Sequence, residues 1–379
     1  MRLLFFIHSL SCGGAERVTA NLANYWAAKG WHITIVTLAP LSLDFYGLHP
    51  AVGRIALELA TESRNVLAGL WKNLHRVRAL RGVMRHVQPD IALAAMSTAN
   101  VVLALATWGL VNVRAIGSEH THPAQRPLGA LWGALRRSTY GELTAVVALT
   151  KESAEWLRTH TRAQRVPIIP NMAGWPLPVQ APRLIPEATH LADRRILLAV
   201  GRLSKEKGFD WLVEAFTALA WKYYDWDLVI LGEGPERQAL EAQVQAARLD
   251  ARVFLYGRVG NVGEWYERAD LYVTSSRLEG FPLTLAEALA HGLPAVSFDC
   301  DTGPRDIIRP EIDGLLVPPA DVDALIAALD RVMGDTDLRV QFGTRAIEAR
   351  ERFSVQKIAG IWEKLFVEVL SDNACNRTL

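Results

Sequence analysis

Two glutamates separated by seven residues, Glu279 and Glu287, are the strongest chemical signal in the sequence. The run before them, residues 271–276, is apolar and rich in β-favouring side chains, which predicts a buried strand. After a Gly-Phe turn, Pro282 suits the first position of a helix over residues 283–290. Backbone N–H groups at such a strand-to-helix turn bind anions, and the helix dipole strengthens the attraction. The spacing therefore favours a site that holds phosphates on the turn and hydroxyl groups between two carboxylates.

A second glycine turn follows another predicted strand in the C-terminal half. Residues 200–210 read Val-Gly-Arg-Leu-Ser-Lys-Glu-Lys-Gly-Phe-Asp, so two glycines bend the chain beside Arg202 and Lys207. Arginine and lysine are the side chains that bind phosphate well. Further glycine turns follow apolar runs at residues 231–235 and 256–260. This half of the chain therefore predicts a diphosphate site on the loops that follow its strands.

The N-terminal half carries two segments of the same kind. Residues 11–17, Ser-Cys-Gly-Gly-Ala-Glu-Arg, form a glycine turn between a predicted strand and a predicted helix. Residues 117–122, Gly-Ser-Glu-His-Thr-His, place His120 shortly after another predicted strand. A dehydrogenase is disfavoured, because no Gly-x-Gly-x-x-Gly fingerprint follows a predicted strand.

Strands and helices alternate along the whole chain, which predicts doubly wound parallel sheets. Predicted strands cover residues 2–7, 33–38, 90–95, 113–117, 144–149, 195–201, 227–232, 252–256, 270–275 and 294–298. Predicted helices include residues 15–29, 65–87, 151–160 and about 354–371. The proline-rich segment 170–189 predicts a linker between domains over residues 1–169 and 190–353. Ligands are expected at the carboxyl edges of the two sheets.

In their order along the chain, these segments resemble the retaining glycosyltransferases of family 4. The glutamate pair matches the family's E-x7-E motif, residues 201–208 match its G-R-x4-K-G segment, and residues 13–17 match its G-G-A-E-R element. The resemblance covers nearly the full chain and implies the α/β GT-B fold, in which two Rossmann-like domains face one another across a cleft. It also implies that a helix over about 354–379 packs back on the first domain. Residues 297–308 look like members that add N-acetylgalactosamine or a related sugar to polyprenyl-diphosphate-linked oligosaccharides.

The resemblance further implies residue roles. Arg202 and Lys207 would hold the donor diphosphate, Glu279 would face the transferred sugar, and Glu287 would accept hydrogen bonds from ribose hydroxyls. His120 matches the position of the family's active-site histidine beside the reacting sugar. Other donor contacts are expected from Gly14, Arg258, Val259, Phe281, Pro282, Leu283 and Thr284, and acceptor contacts from Gly13 and Glu16.

The implied reaction transfers a sugar with retention, and the resemblance favours UDP as the donor nucleotide. No residue can be assigned as the carboxylate nucleophile that retaining glycosidases use. The family is thought to react on the front face of the sugar, where the donor's own phosphate deprotonates the incoming hydroxyl group. Asp299 and Asp301 form a D-x-D pattern, which we interpret as coincidental as a metal site. We expect no cofactor besides the UDP-sugar as co-substrate.

The composition is that of a soluble protein, since half of the residues are hydrophobic and 21% are charged. No apolar run approaches the roughly 18–20 residues of a transmembrane helix, and Met1–Leu10 reads better as a first strand than as a signal peptide. Three distant cysteines without metal-site spacing fit a reduced, cytoplasmic setting. Charge is uneven, because residues 1–190 hold 19 Lys/Arg against 10 Asp/Glu, and the remainder 22 against 30. The basic half predicts an acidic partner, either an anionic membrane surface or a diphosphate.

Two basic helical stretches lie in that first half. Helical spacing over residues 71–85 places Arg78, Arg81 and Arg85 on one face and Lys72, His75 and Arg76 on another. Residues 128–137 combine Trp132 with Arg136 and Arg137. Such helices lie in membrane interfaces, although each could instead be an ordinary helix with its apolar side on the sheet. We predict a peripheral protein on the inner face of the plasma membrane, with Lys72, Arg76, Arg78 and Arg81 as further acceptor contacts.

Three alternatives remain open on sequence grounds. A hexosyltransferase of lipopolysaccharide core or glycolipid synthesis differs in donor and acceptor. A sugar-nucleotide 2-epimerase on the same fold would release product without an acceptor. A non-catalytic membrane-bound scaffold is disfavoured by the presence together of Arg202, Lys207, Glu279 and Glu287.

Overall fold

The computed structural model describes residues 1–61, 66–189, 191 and 193–376. The chain forms two compact units. The first contains Met1–Asn171 and the chain from Val355 onward, and the second contains Met172–Ser354. Residue 65 of a predicted helix, residue 190 of a predicted domain boundary and residues 377–379 of the predicted last helix lie outside the described residues.

The first unit is built on a parallel sheet of six strands in the order β3-β2-β1-β4-β5-β6. The inner strands are continuous apolar runs that bury both faces, as expected where helices cover a parallel sheet. The strands are Arg2–Ile7 (β1), His32–Thr37 (β2), Gly53–Ala56 (β3), Ile91–Ala95 (β4), Arg114–Glu119 (β5) and Ala145–Ala148 (β6). The helices between them are Gly14–Ala28 (α1), Val66–Val87 (α2), Ser97–Thr107 (α3), Ala130–Thr139 (α4) and Lys151–His160 (α5).

The second unit repeats this design with the order β12-β11-β10-β7-β8-β9, again all parallel. Its strands are Arg195–Val200 (β7), Trp226–Leu231 (β8), Val253–Gly257 (β9), Leu271–Thr274 (β10), Ala295–Phe298 (β11) and Gly314–Val317 (β12). Its helices are Phe209–Leu219 (α6), Arg237–Ala246 (α7), Val262–Arg268 (α8), Leu283–Ala290 (α9), Pro304–Ile307 (α10), Val322–Gly334 (α11), Thr336–Ala346 (α12) and Ala349–Arg352 (α13). Single 3₁₀ turns occur at Leu41–Leu43, Tyr140–Glu142, Pro186–Ala188 and Lys205–Lys207.

The last helix, Val355–Asn376 (α14), belongs to the first unit, where it packs on α1. Phe366 and Trp26 are both fully buried, with ring centroids 5.2 Å apart. The Trp26 indole N–H donates to Glu363 at 2.9 Å, and Lys29 pairs with the same carboxylate at 2.8 Å. Burial of aromatic surface therefore holds this helix, and the polar bonds fix its register.

The proline-rich stretch before β7 belongs to the second unit. Gln180 and Pro182 exchange backbone hydrogen bonds with Gly260. The Asn261 side chain bonds both the N–H and the carbonyl of Leu184, and the Trp265 indole donates to the same carbonyl at 3.0 Å. Most of the segment that the sequence marks as a linker is therefore attached to the loop after β9.

The predicted fold class is confirmed, because both sheets are parallel and doubly wound. All ten predicted strands are present, with bounds that differ by at most two residues. One edge strand of each sheet, β3 in the first and β12 in the second, was not predicted. In each sheet the strand order reverses beside the first strand, between β1 and β4 and between β7 and β10. Ligands of such sheets bind outside the carboxyl ends of the strands at this switch point.

Candidate functional site

The loop after β7 carries Lys207 towards the end of β10. It ends in Gly208, whose backbone is left-handed with φ +61°, and a Cβ atom there would lie 2.0 Å from the carbonyl oxygen of Ser275. The Ser275 hydroxyl in turn donates to the carbonyl of Lys207 at 3.1 Å. Only glycine permits so close an approach of the two loops at the switch point of this sheet.

Glu279 receives two donors on one carboxylate oxygen. The Lys207 ammonium lies 2.5 Å from Oε1, and the Ser276 hydroxyl donates to the same oxygen at 2.6 Å. The Glu279 side chain is only 9% exposed and that of Lys207 is 26% exposed. Within the described part of the chain, no hydrogen bond reaches Oε2 of Glu279. The structure thus brings together two predicted site residues and leaves one carboxylate oxygen for a ligand.

A third segment, after β11, holds the backbone on either side of the Glu279 turn through hydrogen bonds. Thr302 donates to the carbonyl of Glu279, and the Cys300 thiol donates to that of Ser276 at 3.0 Å. Burial raises the pKa of Cys300 to about 12, so the thiol stays protonated as a donor. Gly303, with φ +96°, lets this segment approach Gly280, because a Cβ atom would lie 2.9 Å from its carbonyl oxygen. The backbone around Glu279 is therefore fixed on two sides.

The turn before α9 presents free backbone donors. The helix spans Leu283–Ala290, as the sequence predicts, and Pro282 is its N-cap rather than its first helical residue. Among the described residues, the N–H groups of Leu283 and Thr284 have no hydrogen-bond acceptor, as expected in the first turn of a helix. Phe281 is buried against Phe353, with ring centroids 5.5 Å apart, and anchors the turn. The N-terminus of α9 can thus donate to an anion beside Glu279.

Glu287 lies on the buried face of α9 and is 0% exposed. The Tyr266 hydroxyl donates to its Oε2 at 3.5 Å. Tyr272 on β10 packs edge-on against Tyr266, with ring centroids 5.8 Å apart. It is also buried, and burial raises the pKa of its phenol above its usual value. The nearby charges of Glu279 and Glu287 raise that pKa further. Tyr272, which the sequence did not single out, therefore lies close to both glutamates as a protonated phenol.

The remaining donor candidates of this unit are more exposed. Arg202 follows β7, and its guanidinium makes no ion pair within the residues that the structure describes. Arg258 is exposed after β9, and its charge helps Arg237 to hold the pKa of Glu233 below its usual value. Val259 is half-buried beside it. Arg202 and Arg258 remain available to a polyanionic ligand.

The D-x-D pair does not form a metal cage. Both oxygens of the Asp299 carboxylate bind the Arg305 guanidinium, at 2.9 and 3.1 Å. Across the described ranges, no group of three or more His, Cys, Asp or Glu side chains could hold a metal ion.

In the first unit, the glycine turn at residues 11–17 lies between β1 and α1. Glu16 folds back over Gly13, since a Cβ atom on Gly13 would lie 2.3 Å from its Oε2. Burial raises the pKa of Glu16, opposed by a hydrogen bond from its own backbone N–H. Gly14 is exposed as the first residue of α1, and the Tyr46 hydroxyl donates to the carbonyl of Gly13 at 3.0 Å. The turn thus places a carboxylate and a glycine backbone at the carboxyl end of β1.

His120 follows the last residue of β5 in the same unit. Burial lowers its pKa to about 4, and its buried Nδ1 has no hydrogen-bond partner among the residues that the structure describes. Its Nε2 lies 3.3 Å from the Ser118 hydroxyl. Asn100 holds the backbone of Ser118 through both its N–H and its carbonyl, at 3.2 and 3.1 Å. A neutral imidazole is therefore positioned by the strand that carries it.

Glu119, between Ser118 and His120, is a buried residue that the sequence analysis missed. It is 1% exposed and accepts hydrogen bonds from the Tyr140 hydroxyl and, at 2.7 Å, from Ser97. Burial raises its pKa above the usual value. A glutamate two residues beyond the predicted strand 113–117 gave no signal of this role, because its partners come from α3 and from the turn after α4.

The basic residues of α2 do not form one cluster. Arg76 donates to the carbonyls of Leu59 and Thr61, and its charge helps burial to lower the pKa of His8 at the end of β1. Lys72 lines a concavity of about 290 Å³, whose other walls are Leu59, Thr61, Trp71 and His75. Arg81 instead donates to Ala106 and Trp108 at the carboxyl end of α3. Arg78 is exposed. The structure therefore brings Lys72 and Arg76 together but separates Arg81 from them.

The second basic stretch corresponds to α4. Its Trp132 packs against the core of the unit. Arg136 is 6% exposed and lies over the ring of Trp156 at 4.6 Å, a cation–π contact. The expectation that Arg136 contributes to a membrane-facing surface is therefore wrong, whereas Arg137 is exposed. No helix of the described chain has the length and apolarity that a membrane crossing requires.

Both units match known family profiles. The profile "Glycosyltransferase Family 4" matches residues 12–173, and "Glycosyl transferases group 1" matches residues 182–349. Together the two matches cover every strand of the two sheets except β1, and they cover the loops described above.

Curated relatives from three bacteria agree with these matches. Lipopolysaccharide core biosynthesis mannosyltransferase LpcC of Rhizobium leguminosarum is 30% identical over 281 residues, which cover 69% of this chain and 77% of that protein. An alpha-1,4-N-acetyl-D-galactosaminyltransferase of Campylobacter jejuni, named for a PP-undecaprenol-linked saccharide, is 28% identical over 97% of this chain and 99% of that protein. Exopolysaccharide phosphotransferase SCO2592 of Streptomyces coelicolor is 33% identical over 77% of this chain, which spans only 30% of its length.

The structure is similar to that of HepE from Anabaena, solved in complex with UDP. The TM-score is 0.78 at 19% sequence identity, and the match covers 97% of this chain and 100% of HepE. At that identity the likeness shows the GT-B fold. The chain therefore belongs to the group 1, family 4 glycosyltransferases with the GT-B fold.

Proposed function

We propose that this glycosyltransferase moves an N-acetylhexosamine, with N-acetylgalactosamine as the best candidate, from a UDP-sugar to a polyprenyl-diphosphate-linked saccharide. The transfer retains the anomeric configuration and serves glycan or surface polysaccharide assembly. The transferred sugar and the acceptor class are those in the name of the Campylobacter relative, which matches nearly the full chain. UDP is favoured because HepE, which has the same fold, binds it.

The observation that carries the proposal is the arrangement of Lys207, Glu279 and the N-terminus of α9. A cation, a carboxylate with one unbound oxygen and free backbone N–H groups converge at the switch point of the second sheet. The cation and the N–H groups suit a diphosphate, and the carboxylate oxygen suits a sugar hydroxyl or amide. A nucleoside diphosphate sugar offers these groups in that order.

The mechanism follows from those contacts. The bond between the anomeric carbon and the diphosphate breaks while the acceptor oxygen bonds the same face of that carbon. The leaving diphosphate takes up the proton of the acceptor hydroxyl, so no protein base is needed. Arg202 and Lys207 stabilise the charge that grows on the diphosphate, while Glu279 and Glu287 hold the sugar and the ribose. No metal ion takes part in this proposal.

The acceptor is assigned to the first unit. His120 is neutral near pH 7 and suits a contact with the reacting sugar, while Gly13, Gly14 and Glu16 line the neighbouring turn. Lys72 and Arg76 suit the acceptor diphosphate beside the concavity at Trp71. The exposed Trp71 and Leu74 lie on the same helix as Arg78 and Arg85, which suits contact with an anionic membrane surface on the cytoplasmic side.

A donor and acceptor panel tests the proposal. Purified protein is given detergent-solubilised polyprenyl-diphosphate saccharides with each of several UDP-hexoses and UDP-N-acetylhexosamines, and the lipid product is weighed by mass spectrometry. We expect a gain of one or more N-acetylhexosamine masses that is absent with Glu279→Ala. Nucleotide binding without a mass gain on any lipid acceptor would contradict the acceptor class.

A hexosyltransferase of lipopolysaccharide core synthesis is the second candidate. The specific support is LpcC, a core mannosyltransferase that is 30% identical to this chain. A hexose mass gain on a core acceptor, or on a lipid-linked one, would favour this candidate and leave the enzyme class unchanged. Including GDP-mannose in the donor panel distinguishes this hexosyltransferase candidate from the proposed N-acetylhexosamine transfer.

A further inference from the structure

The turn that carries Lys207 is held by the chain that leads to Glu279. Three successive carbonyl oxygens of this turn, those of Lys205, Glu206 and Lys207, each accept a hydrogen bond from residues 275–277. The Arg277 guanidinium donates to Lys205 at 2.8 Å, the Arg277 backbone N–H donates to Glu206 at 2.8 Å, and the Ser275 hydroxyl donates to Lys207 at 3.1 Å. The position of the turn is therefore set by the loop after β10 as well as by its own strand.

Arg277 also binds the helix that follows the turn. Its guanidinium forms two parallel hydrogen bonds with the Asp210 carboxylate, at 2.7 and 2.6 Å. It lies 3.6 Å from the centre of the Trp211 ring. Both residues belong to the first turn of α6, so one side chain fixes the loop on both sides of Gly208. A planar fork stacked on an aromatic ring is an arrangement that lysine cannot reproduce.

These bonds leave the guanidinium little capacity for a ligand. Both terminal nitrogens of Arg277 are engaged with Asp210, and one of them also serves Lys205. The side chain is 30% exposed, and the Asp210 carboxylate is 49% exposed. An isolated ion pair at such exposure contributes little to stability. Because the bonds of Arg277 surround the turn that carries Lys207, they point to a role in positioning Lys207 rather than in stability.

We propose that Arg277 is a positioning residue for sugar transfer, which acts through Lys207. It holds the lysine turn so that the ammonium reaches both Glu279 and the donor diphosphate. The inference rests on the proposed function, since it assumes that Lys207 binds the diphosphate. It assigns to Arg277, which neither the sequence motifs nor the family resemblance singles out, a share in the rate of the reaction.

The test replaces Arg277 and compares the variant with a matched ion pair. Arg277→Gln should lower kcat by about 10- to 100-fold, the cost of misplacing a group by about 1 Å, and should weaken UDP binding measured by calorimetry. The control is Arg331→Gln, because Arg331 forms a similar two-bond pair with Glu311 at 2.7 Å in the same unit. The control should keep kcat and UDP affinity within about twofold of the wild type.

A double-mutant cycle separates positioning from general destabilisation. In a Lys207→Met background, Arg277→Gln should change the Kd for UDP by less than about twofold, because the two residues act as a unit. Additive losses of affinity, or wild-type kcat in Arg277→Gln, would overturn the inference. If Arg277→Gln fails to fold, Arg277→Lys carries the same test, since lysine keeps the positive charge but cannot reproduce the planar fork that binds Asp210 and Lys205.

The outcomes distinguish this inference from the proposed function. A wild-type protein that neither binds UDP nor transfers a sugar would overturn the proposed function and the inference with it. An active wild-type protein whose Arg277→Gln variant matches Arg331→Gln would overturn the inference alone.

Discussion

At the scale of single residues, the second unit holds Glu279 through one carboxylate oxygen, and no other described residue binds the second oxygen. Lys207 and Ser276 share Oε1 of Glu279, so the carboxylate cannot rotate without losing both donors. The charged lysine balances a carboxylate that is only 9% exposed. A ligand that binds Oε2 therefore meets a carboxylate that is already oriented.

Removing the lysine charge should reduce turnover far more than stability. We expect Lys207→Met to lower kcat by about 100-fold or more, because a preorganised cation at the leaving group is lost. Lys222→Met is the control, since Lys222 also pairs with a carboxylate of the same unit, Asp330, at 2.6 Å. Steady-state kinetics with the UDP-sugar identified by the panel gives the comparison. Near wild-type turnover in Lys207→Met would remove Lys207 from the site.

His120 gives a prediction about pH. Its pKa is lowered from 6.5 to about 4 in the folded chain, so between these values the unfolded chain binds more protons. Stability due to this group is therefore complete above pH 6.5 and is lost as the pH falls towards 4, by about 1–3 kcal/mol. Urea unfolding followed by tryptophan fluorescence gives the free energy of unfolding at pH 7.5 and at pH 5. Between these two pH values, His120→Gln should lose less of this free energy than the wild type.

His32→Gln serves as the control for that experiment, because His32 is exposed at the start of β2. It should keep the wild-type pH dependence. If the free energy of unfolding falls equally between pH 7.5 and pH 5 in the wild type and in His120→Gln, the imidazole is not buried in its neutral form.

The sequence patterns identified the residues that could carry the chemistry of this site, but they did not identify the residues that hold those side chains in place. Glu279 and Lys207 stand in recognisable motifs, but Ser276 and Tyr272 are ordinary residues of a β-favouring run. Their roles depend on which strands become neighbours, and β7 and β10 are 70 residues apart in the chain. Glu119 escaped notice for the same reason.

At the scale of elements, the central strands and the edge strands β6 and β9 were predictable from the sequence, whereas the edge strands β3 and β12 were not. The inner strands are apolar runs of four to six residues that are buried on both faces. The missed strands β3 and β12 have four residues each, and each begins with glycine. Short edge strands pair on one side only, so their sequences need not follow the pattern of a core. Strand pairing, rather than propensity, creates them.

The loops that end these strands give a prediction about glycine. Gly208→Ala should abolish most transfer and lower the melting temperature, because φ is +61° and the new Cβ would lie 2.0 Å from the Ser275 carbonyl. Gly82→Ala on α2 is the contrasting control. Nothing lies within 4 Å of its Cβ position, so the change should raise helix stability by about 0.5–1 kcal/mol. Calorimetric melting and transfer assays on both variants check the pair, and unchanged transfer in Gly208→Ala would contradict the loop contact.

At the scale of the whole molecule, the basic charge of the first half gives a prediction about membranes. Trp71 is 69% exposed on α2, among the basic residues of that helix, and Trp221 is 80% exposed on the second unit. Trp71→Ser should weaken sedimentation with vesicles that contain anionic phosphatidylglycerol, and Trp221→Ser should not. Binding of the wild type should fall as salt rises, because surface charges are screened. Equal effects of both changes would contradict a membrane contact through α2.

The return of α14 to the first unit makes the second unit an insertion. Residues 172–354 form one contiguous cassette, whereas the first unit is assembled from two separated stretches of chain. Trp26 is fully buried and packs at a tilt against Phe366 of the returning helix, so a fragment that stops before Val355 should expose this ring and aggregate. Under the proposed function, most of the donor contacts would lie in this one contiguous segment, which joins the first unit at two junctions. Exchanging that segment between two relatives should move donor choice to the recipient, while the recipient keeps its own acceptor.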